Sequence, residues 1–174
     1  MWRRAGAALW VALLVITAVV ALMPARAQQV PAGSNGFTAE ELRFAQLINE
    51  ERAKRGLPQL KYSLELTEIG RAHSREMCEL NYFSHYSPTA RLRTPMDRYK
   101  VAKAGERMPA YLCVGENLYY SSAPDVERGH AMLMASPKHK ENILREEYQY
   151  VGVGVYTSPD GRLWATEMFL AQHS

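Results

Sequence analysis

Two histidines and one glutamate are the residues of this 174-residue chain whose types and placement could do chemistry. His85 lies in Asn81-Tyr82-Phe83-Ser84-His85-Tyr86-Ser87-Pro88, an aromatic-rich loop directly after a helical stretch. His139 is the third residue of a helix opened by Ser136-Pro137, and Glu116 is the centre of Gly115-Glu116-Asn117. Two imidazoles and a carboxylate make a three-ligand zinc set with one coordination position open. In a hydrolytic variant of that site, Glu116 is the candidate general base for a metal-bound water. The three are far apart in sequence and form no local metal signature, so only folding can bring them together.

The remaining histidines read differently. His73 falls on the apolar stripe of a helix, and His130 sits likewise between Val126 and Leu133, so both are expected to be hydrogen-bonded, largely buried imidazoles. His173 is in the terminal tail and is given no role. Ser84 is next to His85, but neighbours on extended backbone point apart, so no activated nucleophile is identified. The chain has no His-Glu-x-x-His helix, Gly-x-Ser-x-Gly elbow, phosphate-binding Gly-rich loop or dinucleotide fingerprint.

Five helices and a late run of strands must position these groups. Thr38 with Glu41 is a capping-box signature ahead of Phe44, Ala45, Leu47 and Ile48, and Gly56 with Pro58 stops that helix near Arg55. A second helix starts near Ser63, with the stripe Leu66, Ile69, His73, Met77 and Leu80, and ends near Asn81. Thr94-Pro95 opens a third, Ser122 to Asp125 a fourth that runs to about Met134, and Ser136-Pro137 a fifth. Val151, Val153 and Val155 then alternate with glycine. Ser158-Pro159-Asp160-Gly161 makes a turn, and Leu163 to Leu170 completes a hairpin, with Asn117 to Tyr120 as one more strand. Helices first and a mostly antiparallel sheet late predict a layered α+β domain.

The charge excess says where the chain goes. Its 21 basic residues exceed its 18 acidic ones by the number of arginines at the front, Arg3, Arg4 and Arg26, and residues 1–27 contain no acid. Arg3 and Arg4 precede an apolar run from Ala7 to Met23, followed by Pro24 and Ala25-Arg26-Ala27. Residues 1–27 therefore read as a cleaved secretory signal peptide, 28–36 as a linker and 37–174 as one domain. The product would be secreted, extracellular or periplasmic, with no membrane span after cleavage. Without its front the chain is neutral, which argues against a nucleic-acid footprint despite a pI of about 8.9. In an oxidising compartment the only two cysteines, Cys78 and Cys113, are expected to form a disulfide.

Asn49-x-x-Arg52, Phe83-Ser84-His85, Gly115-Glu116-Asn117, Ser136-Pro137-Lys138-His139 with Asn142-Ile143-Leu144, and Gly152-Val153-Gly154-Val155 occur in this order. The ordered set resembles the CAP superfamily of cysteine-rich secretory, antigen 5 and pathogenesis-related proteins, in its bacterial secreted branch, over roughly residues 38–172. The resemblance implies a three-layer α-β-α sandwich whose cleft is lined by two histidines and two acids. On that pattern His85 and His139 hold a divalent metal, zinc foremost, and Glu116 is the first acid. The second acid is absent from the matching stretch Leu133-Met134-Ala135-Ser136, and neither Glu127 nor Glu167 is assigned to its place. Tyr86 and Tyr119 are expected to wall the cleft beside Tyr82, Phe83 and Tyr120, while Gly115, Asn117 and Asn142 tie its loops together. The expected partner is a small molecule, a lipid or a cell-envelope component. The reading is of a monomeric binding protein, with a metal-assisted peptidase or esterase and a lipid- or sterol-binding envelope protein as the alternatives.

Overall fold

A computed structural model describes residues 35–173, so the expected signal peptide (1–27) and the linker (28–36) up to residue 34 lie outside the described residues. The first helix, α1 (Ala39–Ala53), starts on the expected capping box, with Thr38 and Glu41 each accepting from the other's backbone N–H. After the short strand β1 (Lys61–Tyr62) comes α2 (Leu64–Glu79), capped by Ser63. It ends in a Schellman motif. Asn81 takes the left-handed conformation (φ 53°), its N–H bonds to Cys78 O, and the Tyr82 N–H reaches Met77 O at 3.0 Å. This turn strips Leu80 from the expected apolar stripe, leaving it exposed, and launches the loop that carries His85.

A 3-10 turn at 90–92 leads to α3 (Pro95–Ala102), where Thr94 and Asp97 form a second capping box and Pro95 opens the helix. Then come β2 (Tyr111–Ser121), α4 (Val126–Ala135), α5 (Pro137–Leu144), β3 (Tyr150–Thr157) and β4 (Leu163–His173). The strands order as β1-β3-β4-β2, with both β4 pairings antiparallel and β1 parallel to β3. The sheet is thus mixed. Two residues of β1 are too few to show a period, which is why the sequence pattern passes over that strand. The expected strand at Asn117 to Tyr120 is the second half of the longer β2.

Alternation across the sheet builds the three layers. Odd-numbered residues of β2, β3 and β4, among them Tyr119, Val151, Val153, Val155, Ala165 and Phe169, pack against Phe44 and Ile48 of α1, Leu133 of α4 and Ile143 of α5. Even-numbered ones face the other way, where Met168 and Leu170 meet Leu66 and Ile69 of α2 and Tyr99 of α3. This is the α-β-α sandwich, with α1, α4 and α5 on one face and α2 and α3 on the other.

That alternation removes the expected disulfide. Cys113 is partly buried and packs against the core of the α1, α4 and α5 face, whereas Cys78, on α2, packs with Met77, Leu118 and Trp164 on the opposite face. Both thiols are free, and a bond between them would have to pass through the sheet. A reductant is therefore expected to leave the melting temperature unchanged, and both thiols should react with a thiol reagent in denaturant without prior reduction. A fall of several degrees on reduction would show that the bridge exists.

Candidate functional site

β2 is one of the two edge strands, and His85 and His139 come to it from opposite layers. Glu116 and Asn117 are consecutive, so they project to opposite faces. Glu116 points into the α2–α3 layer, where Oε1 lies 2.8 Å from Nδ1 of His85 and Oε2 accepts from the Arg98 guanidinium. The carboxylate is 1% exposed, while the His85 side chain remains 46% exposed. Both oxygens of Glu116 are thereby engaged. It is held between the His85 ring and the Arg98 guanidinium, buried behind the imidazole. Among the described residues no group of three or more His, Cys, Asp or Glu side chains is arranged to hold a metal. His85 stands exposed on one side of β2, and the backbone of His139 is tied to Asn117 of the same strand.

The loop carrying His85 is anchored independently. His73, buried as expected, lies 3.1 Å from Ser84 O through Nε2, and Glu76 accepts from Ser87 Oγ at 2.8 Å and Thr89 Oγ1 at 2.6 Å. His130 is also buried, but its two ring nitrogens have no hydrogen-bond partner among the described residues. His173 ends β4 with its ring stacked on Tyr111, at 5.4 Å between centroids.

On the other face, Asn117 and Asn142 fasten α5 to β2. Asn117 Nδ2 donates to His139 O at 3.0 Å and to Glu167 Oε2 at 2.9 Å, while Asn142 Nδ2 donates to Glu116 O at 3.1 Å and Asn117 Oδ1 at 2.9 Å. These bonds set the first turn of α5, and with it His139, against the strand edge. Burial, and then the neighbouring His85, lower the pKa of His139, so it is a neutral imidazole at pH 7. Gly115 is constrained by packing. A Cβ there would fall 2.0 Å from the Tyr148 hydroxyl.

The aromatic wall differs from expectation. Tyr119, an odd-numbered β2 residue, points into the core, 6.5 Å from the Phe44 ring, and does not line the cleft. Its neighbour Tyr120 faces the other way, 6.3 Å from Phe83, and both are exposed. Tyr86 is exposed next to His85, and Tyr82 donates to Glu76. Of the two unassigned acids, Glu127 pairs with Arg43 at 2.9 Å, and Glu167 is fully buried on Asn117.

The sequence reading missed Arg98 as a site residue and left Glu167 unassigned. Glu167 had a signal: in the period-two pattern of β4 it shares a face with Ala165 and Phe169, which puts a carboxylate in the core. Arg98 had none, since its helix reads as an ordinary capped surface segment.

Fold and site together define an α-β-α sandwich in which two histidines, one from each helical layer, approach the edge strand β2. The chain belongs to the CAP family, whose model, described as the cysteine-rich secretory protein family, matches residues 45–169. It is similar to the uncharacterized protein YkwD of Bacillus subtilis, 33% identical over 138 residues, covering 79% of this chain and 49% of that one. The uncharacterized membrane protein YlbC of Bacillus subtilis is 31% identical over 120 residues, or 68% of this chain and 32% of that protein. The chain thus spans half or less of these relatives. Among solved structures, an extracellular SCP-domain protein of Bacillus anthracis matches with a TM-score of 0.62 and 30% identity, over 76% of this chain and 40% of that one. An outer surface protein of Borrelia burgdorferi shares the fold, with a TM-score of 0.66 and 20% identity, over 78% of this chain and 96% of that one.

Proposed function

We propose that this CAP-domain protein is exported and that its cleft binds a divalent metal, zinc foremost, or a small ligand through His85 and His139. The observation that carries this reading is the 2.8 Å contact between His85 Nδ1 and the buried Glu116 carboxylate, made while the ring stays exposed. A carboxylate behind an imidazole is the outer-shell arrangement of metal-binding histidines, and His139 supplies a second neutral imidazole from across the strand edge. The donor set fits a borderline-soft cation, with water or a ligand group completing its coordination. Once bound, such a cation supplies Lewis acidity to whatever occupies its open positions.

Binding is favoured over turnover because the hydrolytic alternative needs Glu116 to reach a water, and its side chain is 1% exposed, enclosed between His85 and Arg98. A lipid alternative has a groove of about 530 Å³ between α2 and α3, lined by the apolar Ile69, Ala72, Leu92 and Val101 and by the charged Glu65, Glu68, Glu76 and Arg98. Export is supported by the basic-apolar-small pattern of residues 1–27 and by the extracellular relative from Bacillus anthracis. No helix of the described residues is long and apolar enough to cross a membrane.

Calorimetric titration with zinc chloride tests the reading. We expect one zinc per wild-type chain and an affinity at least about tenfold weaker in His85→Ala and in His139→Ala, with His173→Ala unchanged. Equal binding in wild type and the double-histidine variant, or none in wild type, would refute it.

A further inference from the structure

We propose that Arg98 is the positioning residue of the cleft, fixing the tautomer in which His85 presents Nε2, and not Nδ1, to a ligand. The inference rests on the two-histidine reading above and names the residue that makes it work. Arg98, on α3, is 4% exposed. Its guanidinium donates to Glu116 Oε2, to His85 O from both terminal nitrogens at 3.3 Å, and to Leu92 O at 3.0 Å. One planar group therefore holds His85 twice, directly at its main-chain carbonyl and through Glu116 at its ring.

The chemistry follows from the donor inventory. An ionised carboxylate only accepts, so the ring nitrogen 2.8 Å from Glu116 Oε1 must carry the proton. A neutral imidazole has one N–H, which leaves the lone pair on Nε2, whereas free imidazole side chains in water favour the opposite tautomer. Arginine suits this place because its rigid fork reaches a carboxylate and a carbonyl in one plane, which a lysine ammonium cannot do. The loop keeps its anchors on His73 and Glu76 without Arg98, so replacing the arginine should release the His85 ring more than the loop.

The test reads the tautomer directly. Long-range ¹⁵N–¹H spectra of the ¹⁵N-labelled protein at pH 8, without metal, should show His85 predominantly as the Nδ1–H form. In Arg98→Gln that fraction should fall at least about twofold and zinc affinity about tenfold, the scale of outer-shell changes at metal sites, with Arg98→Lys recovering only part of either. A wild-type His85 in the Nε2–H form, or the same tautomer in wild type and Arg98→Gln, would overturn the proposal. If Arg98→Gln does not fold, the wild-type and Arg98→Lys spectra decide the matter by the same criterion. An Nδ1–H tautomer that depends on Arg98 in a protein that binds no zinc would refute the ligand reading and leave the role of Arg98 standing.

Discussion

Gly154→Ala is expected to destabilise the domain by about 3 kcal/mol or more, at the upper end of what overpacking a core costs, and to lower the melting temperature by about 10 °C. The reason is a close approach of backbones. A Cβ on Gly154 would lie 1.9 Å from Arg71 N, 2.1 Å from Gly70 C and 2.6 Å from Thr67 O, all main-chain atoms of α2. Gly70 meets the sheet from the helix side, where its own Cβ would be 2.9 Å from Gly154 N and from Thr166 O. No rotamer change relieves such a clash. The whole helix must move, breaking the bond that Ser74 Oγ donates to Gly154 O at 2.9 Å and its contact with Thr166 Oγ1 at 2.8 Å. Gly161 is the control: its φ of +83° strains an alanine, but nothing lies within 4 Å of the added carbon. Gly161→Ala should cost about 1–2 kcal/mol. Denaturant unfolding of the two variants checks the contrast, and equal costs would show that α2 does not lie on the strand through its backbone.

Glu167→Gln is expected to stabilise the protein increasingly as pH rises. Burial pushes the pKa of Glu167 from 4.5 up to about 7, and the one bond from Asn117 only partly offsets this. Between those two values the native state holds a proton that the unfolded chain has released. The native state therefore binds more protons, and stability falls as pH increases through this window. At 1.36 kcal/mol per unit, the cost of ionising the group in the fold approaches about 3 kcal/mol above pH 7. Burial acts in the opposite sense on His73, His130 and His139, whose pKa values are lowered, so their contribution is lost as pH falls below the ordinary histidine range. Only the difference between variant and wild type isolates Glu167, because glutamine keeps the carbonyl that accepts from Asn117 and lacks the titration. That difference should widen by about 3 kcal/mol from pH 4 to pH 8 in denaturant unfolding. A flat difference would mean that Glu167 is not buried as a lone carboxylate.

The two results bear on the site because both concern what holds it. Gly152, Gly154 and Gly70 seat α2 on the sheet, and α2 carries the His73 and Glu76 anchors of the His85 loop. Glu167 shares Asn117 with the backbone of His139. A costly carboxylate under the second histidine fits a sheet built to hold α5 in place, in addition to filling a core.

Helices were legible from the sequence because their signals are local. Thr38 with Glu41, Ser63, and Thr94 with Asp97 satisfy orphan N–H groups within one turn, so capping residues mark helix starts wherever the rest of the chain goes. The β3–β4 hairpin was legible for the same reason, through its alternation and its Ser158 to Gly161 turn. His85, Glu116 and His139 stand out in the sequence by residue type and by an ordered resemblance; in the fold His85 contacts Glu116, and the His139 carbonyl accepts from Asn117. Their roles were not legible. Whether Glu116 faces a ligand or stands behind His85 depends on which face of β2 residue 116 occupies and on a guanidinium arriving from α3, both non-local. The same parity turned Tyr119 into the core and left Tyr120 at the surface, and it parted Cys78 from Cys113.

Helix starts and the β3–β4 hairpin are written in the chain itself, because each follows from neighbouring residues. Folding is what places Arg98 and Glu116 behind His85, buries Glu167 against Asn117 and sets the two cysteines on opposite faces of the sheet. Those outcomes depend on strand register and on which layer each helix joins, and no local pattern encodes either.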